Sequence, residues 1–170
     1  MIVLILRLLH IGAGVFWVGS ILFLARFLLP TSMALGPAAG PVMDQLMRVR
    51  KVPQTLMGAG FVTVLSGFGL FWIDSLGFTG PWMASPTGRV FGAGAGFALL
   101  GLIVGITVNR PTSNRIGALA AAIHASSGPP TAEQTAAIRA LQARLGNATR
   151  IVAVLLVLAT VAMALARYVG

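Results

Sequence analysis

Cysteine is absent, so the chain can form no disulfide and can offer no thiolate to a metal. Acidic residues are almost absent: Asp44, Asp74 and Glu133 are the only three in 170 residues. That scarcity leaves no paired-carboxylate active site, and no intramembrane carboxylate chain of the kind proton-coupled carriers use, which counts against transport. Lysine occurs once, as Lys51, and histidine twice, as His10 and His124. No Walker loop, nucleophilic triad or zinc motif is present, and GAGAG at 92–96 lies inside an apolar run where a dinucleotide loop has no place. Charged residues make up 9% of the chain, where soluble domains carry about a quarter. What fills the sequence is apolar: 57% of residues are hydrophobic and the mean hydropathy is +0.93.

A bilayer core of about 30 Å needs roughly 20 mostly apolar helical residues. Four segments meet that requirement, at about 2–29, 54–73, 90–108 and 151–166. Pro30 is expected to close the first, Pro53 to sit in the first turn of the second, and Asn109-Arg110-Pro111 to end the third. The first run is longer than a signal-peptide core and lacks a basic cluster before it, so it reads as a retained helix. Backbone groups in lipid must bond internally, and no alternating pattern suggests a barrel. The expected fold is all-α: a single membrane domain, 1–170, built as a four-transmembrane-helix bundle with short interfacial helices.

Twelve Lys and Arg face the three acids, and the basic residues sit at the edges of the apolar runs. That placement suits contact with anionic lipid and gives no sign of nucleic acid as a partner. Nine of them (Arg26, Arg48, Arg50, Lys51, Arg110, Arg115, Arg139, Arg144, Arg150) fall on one side, and Arg7, Arg89 and Arg167 on the other. The positive-inside rule puts the larger group in the cytoplasm and both termini outside, in a bacterial inner membrane. Amphipathic segments are expected at about 42–52, 114–125 and 131–146, with a break at Ser126-Ser127-Gly128-Pro129-Pro130. Thr131 and Gln134 have capping-box spacing, and the helix they start should lead into the fourth span along the membrane surface. The Gly/Pro-rich outer loop carries Trp82 as an interface anchor, and Asp74 there could pair with Arg7, Arg89 or Arg167.

Glycines recur in the first three spans, as close helix packing requires; they could equally admit a flat cofactor or a lipid. Ionisable groups in a span are costly, which singles out His10, about 12 Å from the start of its helix. Arg7, His10, Gly14 and Trp17 follow at spacings of 3, 4 and 3 and share one face. That stripe would suit a haem: imidazole on the iron, glycine at the ring edge, Arg7 at a propionate. It would equally suit a neutral histidine bonded to a carbonyl, with Trp17 filling the bundle. Met163, at comparable depth on the fourth span, could complete a His/Met pair or simply fill space. His124 falls in a loop at the opposite end.

The run LHIGAGVFWVGSILFLARF, with His10, Trp17 and Arg26, resembles the first helix of the HemJ-type protoporphyrinogen oxidases and of the related CopD-like membrane proteins. VMDQLMRVRKVP before the second span, Gly69-x-x-Trp72 at its end and Arg144-Leu-Gly-Asn147 before the fourth continue the likeness over nearly the whole chain. GPPTAEQTAAIRALQARL looks like a bacterial branch of the group. The resemblance implies a four-helix membrane fold, haem b as cofactor and His10 as its ligand or an active-site residue. The chain departs from the family in lacking a third-helix lysine and in carrying Ala148 where the family has an acid, which counts against the oxidase activity. The leading expectation is a non-catalytic accessory or assembly subunit of a larger respiratory, photosynthetic or other redox complex, or a homo-oligomer. The alternatives are a haem b or tetrapyrrole protein using His10, and CopD-like metal handling or transport, although the methionines form no Met-x-x-Met cluster.

Overall fold

Apolar runs free of interior helix breakers form helices because each residue added to a started helix closes one more backbone bond. The computed structural model describes residues 1–126 and 129–169, and these are all-helical apart from short connections. Helix α1 spans Ile2–Phe23, a π-helical turn spans Leu24–Leu28, and α2 spans Leu29–Leu35. A 3₁₀ turn, Gly36–Ala39, leads to α3, Gly40–Asp44, and a second π turn, Gln45–Val49. Helix α4 is Val52–Asp74 and α5 is Pro86–Val104. A third π turn, Gly105–Asn109, joins α5 to α6, Arg110–Ala125, and α7 is Ala132–Leu165. Four helical stretches (Ile2–Val49, Val52–Asp74, Pro86–Ala125 and Ala132–Tyr168) are long and apolar enough to cross a membrane.

Two expected helix ends are overturned, and for one reason. The helix runs through Pro30 and through Pro111. A proline ring clashes with the carbonyl four residues earlier, which belongs to Arg26 in one case and Thr107 in the other. Both carbonyls lie within π turns, Leu24–Leu28 and Gly105–Asn109, each ending two residues before its proline. The wider turn shifts the bonding pattern by one residue and lets the helix continue. The segment expected at 114–125 is therefore the far end of the third long helix.

The fourth long helix starts as its cap predicts. Thr131 Oγ1 accepts from Gln134 N at 3.1 Å, and Thr131 N donates to Gln134 Oε1 at 2.9 Å. From there the 34 residues of α7 run without a break, about 51 Å of helix, so the segment expected at 131–146 is continuous with the fourth apolar run. It pairs with α6 beyond the bundle. Ser127 and Gly128, within the expected break, lie outside the described residues. The 42–52 segment forms α3 and its π turn and ends at Lys51, whose left-handed φ of 52° turns the chain into α4. Pro53 sits in the first turn of α4, as expected.

The helices associate as two antiparallel pairs, α1 with α4 and α5 with α7. Small residues set both seams. A Cβ on Gly60 would lie 3.0 Å from the Trp17 ring, and one on Gly67 would lie 2.7 Å from His10 Cε1. A Cβ on Gly14 would lie 3.5 Å from the Thr63 methyl, so knobs and holes alternate along a fixed antiparallel register. In the second pair Gly94 faces Met163 and Gly101 faces Leu156 in the same manner. The pairs meet in one core, where Trp17, Ile21, Leu56, Leu102, Val152, Ala153 and Leu156 pack together. Helix α1 is peripheral: 6% of its most apolar window is buried, against 33% for that of α7.

The loop between α4 and α5 is held by aromatic packing. Trp82, expected as an interface anchor, meets Phe71 edge-on at 5.2 Å and stacks on Phe91 at 6.0 Å. Ser85 caps α5 by accepting from Gly88 N at 3.1 Å. Among the described residues the ion pair is Arg48 Nε to Asp44 Oδ1, 3.1 Å, in place of a pairing of Asp74 with Arg7, Arg89 or Arg167.

Candidate functional site

The stripe read from α1 divides on folding. His10, Gly14 and Trp17 face α4, whereas Arg7 is exposed. His10 Nδ1 lies 2.8 Å from the Thr63 carbonyl oxygen. A carbonyl can only accept, so Nδ1 is the donor in this bond. Ser66 Oγ donates its one proton to the Val62 carbonyl at 2.5 Å, and Thr63 Oγ1 donates to the Ala59 carbonyl at 2.8 Å. Every hydroxyl near the imidazole is thus turned back onto its own helix, which keeps these polar groups satisfied between apolar neighbours.

The room that glycine creates here is filled by protein. The imidazole occupies the notch at Gly67, Trp17 occupies the one at Gly60, and the Thr63 methyl lies against Gly14, which was expected to admit a ring edge. Within the α1–α4 seam these three notches are therefore occupied by the protein's own side chains. Met163 lies in the other seam, its Cγ 3.2 Å from the position of a Cβ on Gly94. The structure therefore places the two candidate ligands in separate helix pairs. His124 is exposed in the last turn of α6. Among the described residues no three His, Asp or Glu side chains gather where a metal ion could be held.

A more enclosed feature lies below Trp17, where all four long helices meet. A cavity of about 100 Å³ has Trp17, Leu56 and Leu102 at its deep end. Asn109, Arg110 and Thr149 line its other end. Asn109 Nδ2 donates to Thr149 Oγ1 at 3.4 Å, and its Oδ1 is buried with no donor among the described residues. Sequence reading missed this site because its residues come from all four long helical stretches. The one available signal was a polar Asn109 at the end of an apolar run, and it was read as a helix terminus. No family model, curated protein or solved structure matches the chain.

Proposed function

We propose that the chain is a four-span protein of the bacterial inner membrane with both termini outside. In this reading it serves as a non-catalytic accessory or assembly subunit, docking through α1 onto other subunits of a larger redox complex or onto a second copy. The observation that carries the reading is the outer face of α1. Leu8, Ile11, Val15, Phe16 and Phe23 are all exposed there, while the helix meets the bundle through its seam with α4 and through Trp17 and Ile21 in the shared core. A surface groove of about 420 Å³ opens on the same helix, bounded by Phe16, Gly19, Phe23, Thr55 and Arg50. Nothing within 4 Å opposes a Cβ on Gly12 or Gly19, so two of the small residues that favour close helix approach are unused inside the chain. The candidate ligands His10 and Met163 are, by contrast, engaged in internal packing.

A photo-crosslinking side chain at Val15 is expected to capture protein in intact membranes, whereas one at Val154, exposed on α7, captures lipid alone. Lipid adducts alone at both positions would sink the docking reading. The same cells supply the test of a second reading, in which His10 binds haem b as the HemJ-like resemblance implies. Its support is the Nδ1–H bond to the Thr63 carbonyl, the kind of second hydrogen bond that orients a ligating histidine. Because the seam is full, iron would have to reach Nε2 from the half-exposed side of His10. A reduced-minus-oxidised spectrum with a haem b signal lost in His10→Ala would favour that reading over the first.

The orientation has its own check. Nine basic residues against three predict that a cysteine placed at exposed Ser126 is labelled by an impermeant maleimide only from the cytoplasmic side. Labelling from outside would invert the topology.

A further inference from the structure

We propose that the groove between the second half of α1 and the start of α4 binds one anionic phospholipid, its phosphate on Arg50 and one acyl chain along Phe23, Gly19 and Phe16. Helix α4 runs antiparallel to α1 with Gly60 against Trp17, so the residues before Leu56 lie beside the later turns of the first long helix. The apolar wall extends from Phe16 through Phe23 and Leu24 to Leu28, about 18 Å of helix, with Leu56 also lining the groove. Gly19 keeps the groove open, since a Cβ there meets nothing within 4 Å. At about 420 Å³ it is about four times the size of the enclosed cavity beneath Trp17. It also opens at the surface, so an acyl chain can lie along it without being enclosed.

Charge decides the occupant. Arg50 lines the groove with Val52 and Thr55, where α4 begins, and it is exposed. Asp44 is paired with Arg48, and among the described residues Arg50 has no ion-pair partner. The Thr55 hydroxyl donates to the Lys51 carbonyl at 3.2 Å, which leaves the guanidinium as the donor for a ligand at this end. No acidic residue lines the groove among the described residues. A guanidinium matches a phosphate with two parallel bonds, and the cytoplasmic leaflet supplies anionic headgroups on the side where the nine basic residues fall. A second copy fits poorly, because it would bring the same nine basic residues with only Asp44 and Glu133 to balance them. A lipid in the groove leaves Leu8, Ile11 and Val15, nearer the start of α1, for a neighbouring subunit. The lipid's place in the cytoplasmic leaflet rests on the orientation reading, which labelling at Ser126 tests separately.

Native mass spectrometry of the delipidated protein in mild detergent reads the binding directly. The protein is titrated with dioleoyl phosphatidylglycerol and, in parallel, with dioleoyl phosphatidylcholine, which has the same chains and no net charge. A single-lipid adduct is expected with phosphatidylglycerol at a concentration about fivefold below that needed with phosphatidylcholine, the effect of one basic residue on an anionic headgroup. Arg50→Gln should bring the two lipids within about twofold of each other, whereas Arg115→Gln, the same charge change at an exposed site on α6, should keep the preference. Gly19→Leu should weaken the adduct with both lipids by filling the groove, at no cost to internal packing. Equal binding of the two lipids by the parent protein would overturn the proposal, as would loss of the preference in Arg115→Gln to the same degree as in Arg50→Gln. It fails equally if Gly19→Leu folds, by circular dichroism, and binds like the parent. In intact membranes a photo-crosslinking side chain at Phe23 is expected to capture phospholipid; capture of a second copy or of another protein there would mean that protein covers the groove, against the proposal.

Discussion

Replacing Gly67 by leucine is expected to cost about 3 kcal/mol or more of bundle stability, because the new side chain must occupy the space of the His10 ring. A Cβ at that position already lies 2.7 Å from His10 Cε1 and 2.9 Å from Nδ1, closer than real contacts allow. The imidazole would be driven off the Thr63 carbonyl, which forfeits a bond of about 1 kcal/mol as well as the packing. The informative variant is the double one. If His10 is a knob in a glycine hole, His10→Ala in the Gly67→Leu background exchanges knob and hole and should recover about half of the loss, a coupling of about 1.5 kcal/mol that lies within the range measured for touching residues. Both effects are read by unfolding in mixed micelles. Additive losses, with no recovery, would mean that His10 does not act through this seam.

Gly94→Leu should be at least as damaging, and its control lies two residues away. A Cβ on Gly94 meets Met163 Cγ at 3.2 Å and Ala162 Cβ and the Ala159 carbonyl oxygen at 3.3 Å. The carbonyl is backbone and cannot swing aside as a side chain would, so α5 and α7 must separate. A loss of about 3 kcal/mol is expected, a large fraction of an ordinary stability and enough to lower accumulation in membranes. Gly96→Leu, in the same GAGAG run, should change stability by less than about 0.5 kcal/mol, because nothing within 4 Å opposes its Cβ. Equal accumulation of the two variants would show that the α5–α7 seam is not set by glycine.

These two seams explain why His10 and Met163 were ambiguous in the sequence. Their spacing on α1 and α7 is equally consistent with ligands pointing at one another and with knobs pointing at separate glycine holes. Gly67 and Gly94 are the glycines those side chains meet, but each lies more than 50 residues from its partner in the chain. No periodicity within one helix can announce such a pairing.

The sequence by itself determined the features that depend on local chemistry. Scarce charge and four long apolar runs dictate four long helices, since a backbone without water must bond to itself. The Thr131–Gln134 cap and the placement of Pro53 in the first turn of α4 were legible because capping and proline geometry act over a few residues. The tertiary structure decided what depends on distant partners. It carried the helix through Pro30 and Pro111 by way of π turns and joined the 131–146 segment to the last span. It also paired His10 with Thr63 and Gly67, and it placed Asn109 where all four long helical stretches meet. The physical reason is the same throughout. Helix formation is set by neighbours in the chain, whereas which glycine receives which side chain, and which polar atom is left without a donor, is set by close packing between helices that the chain order does not encode.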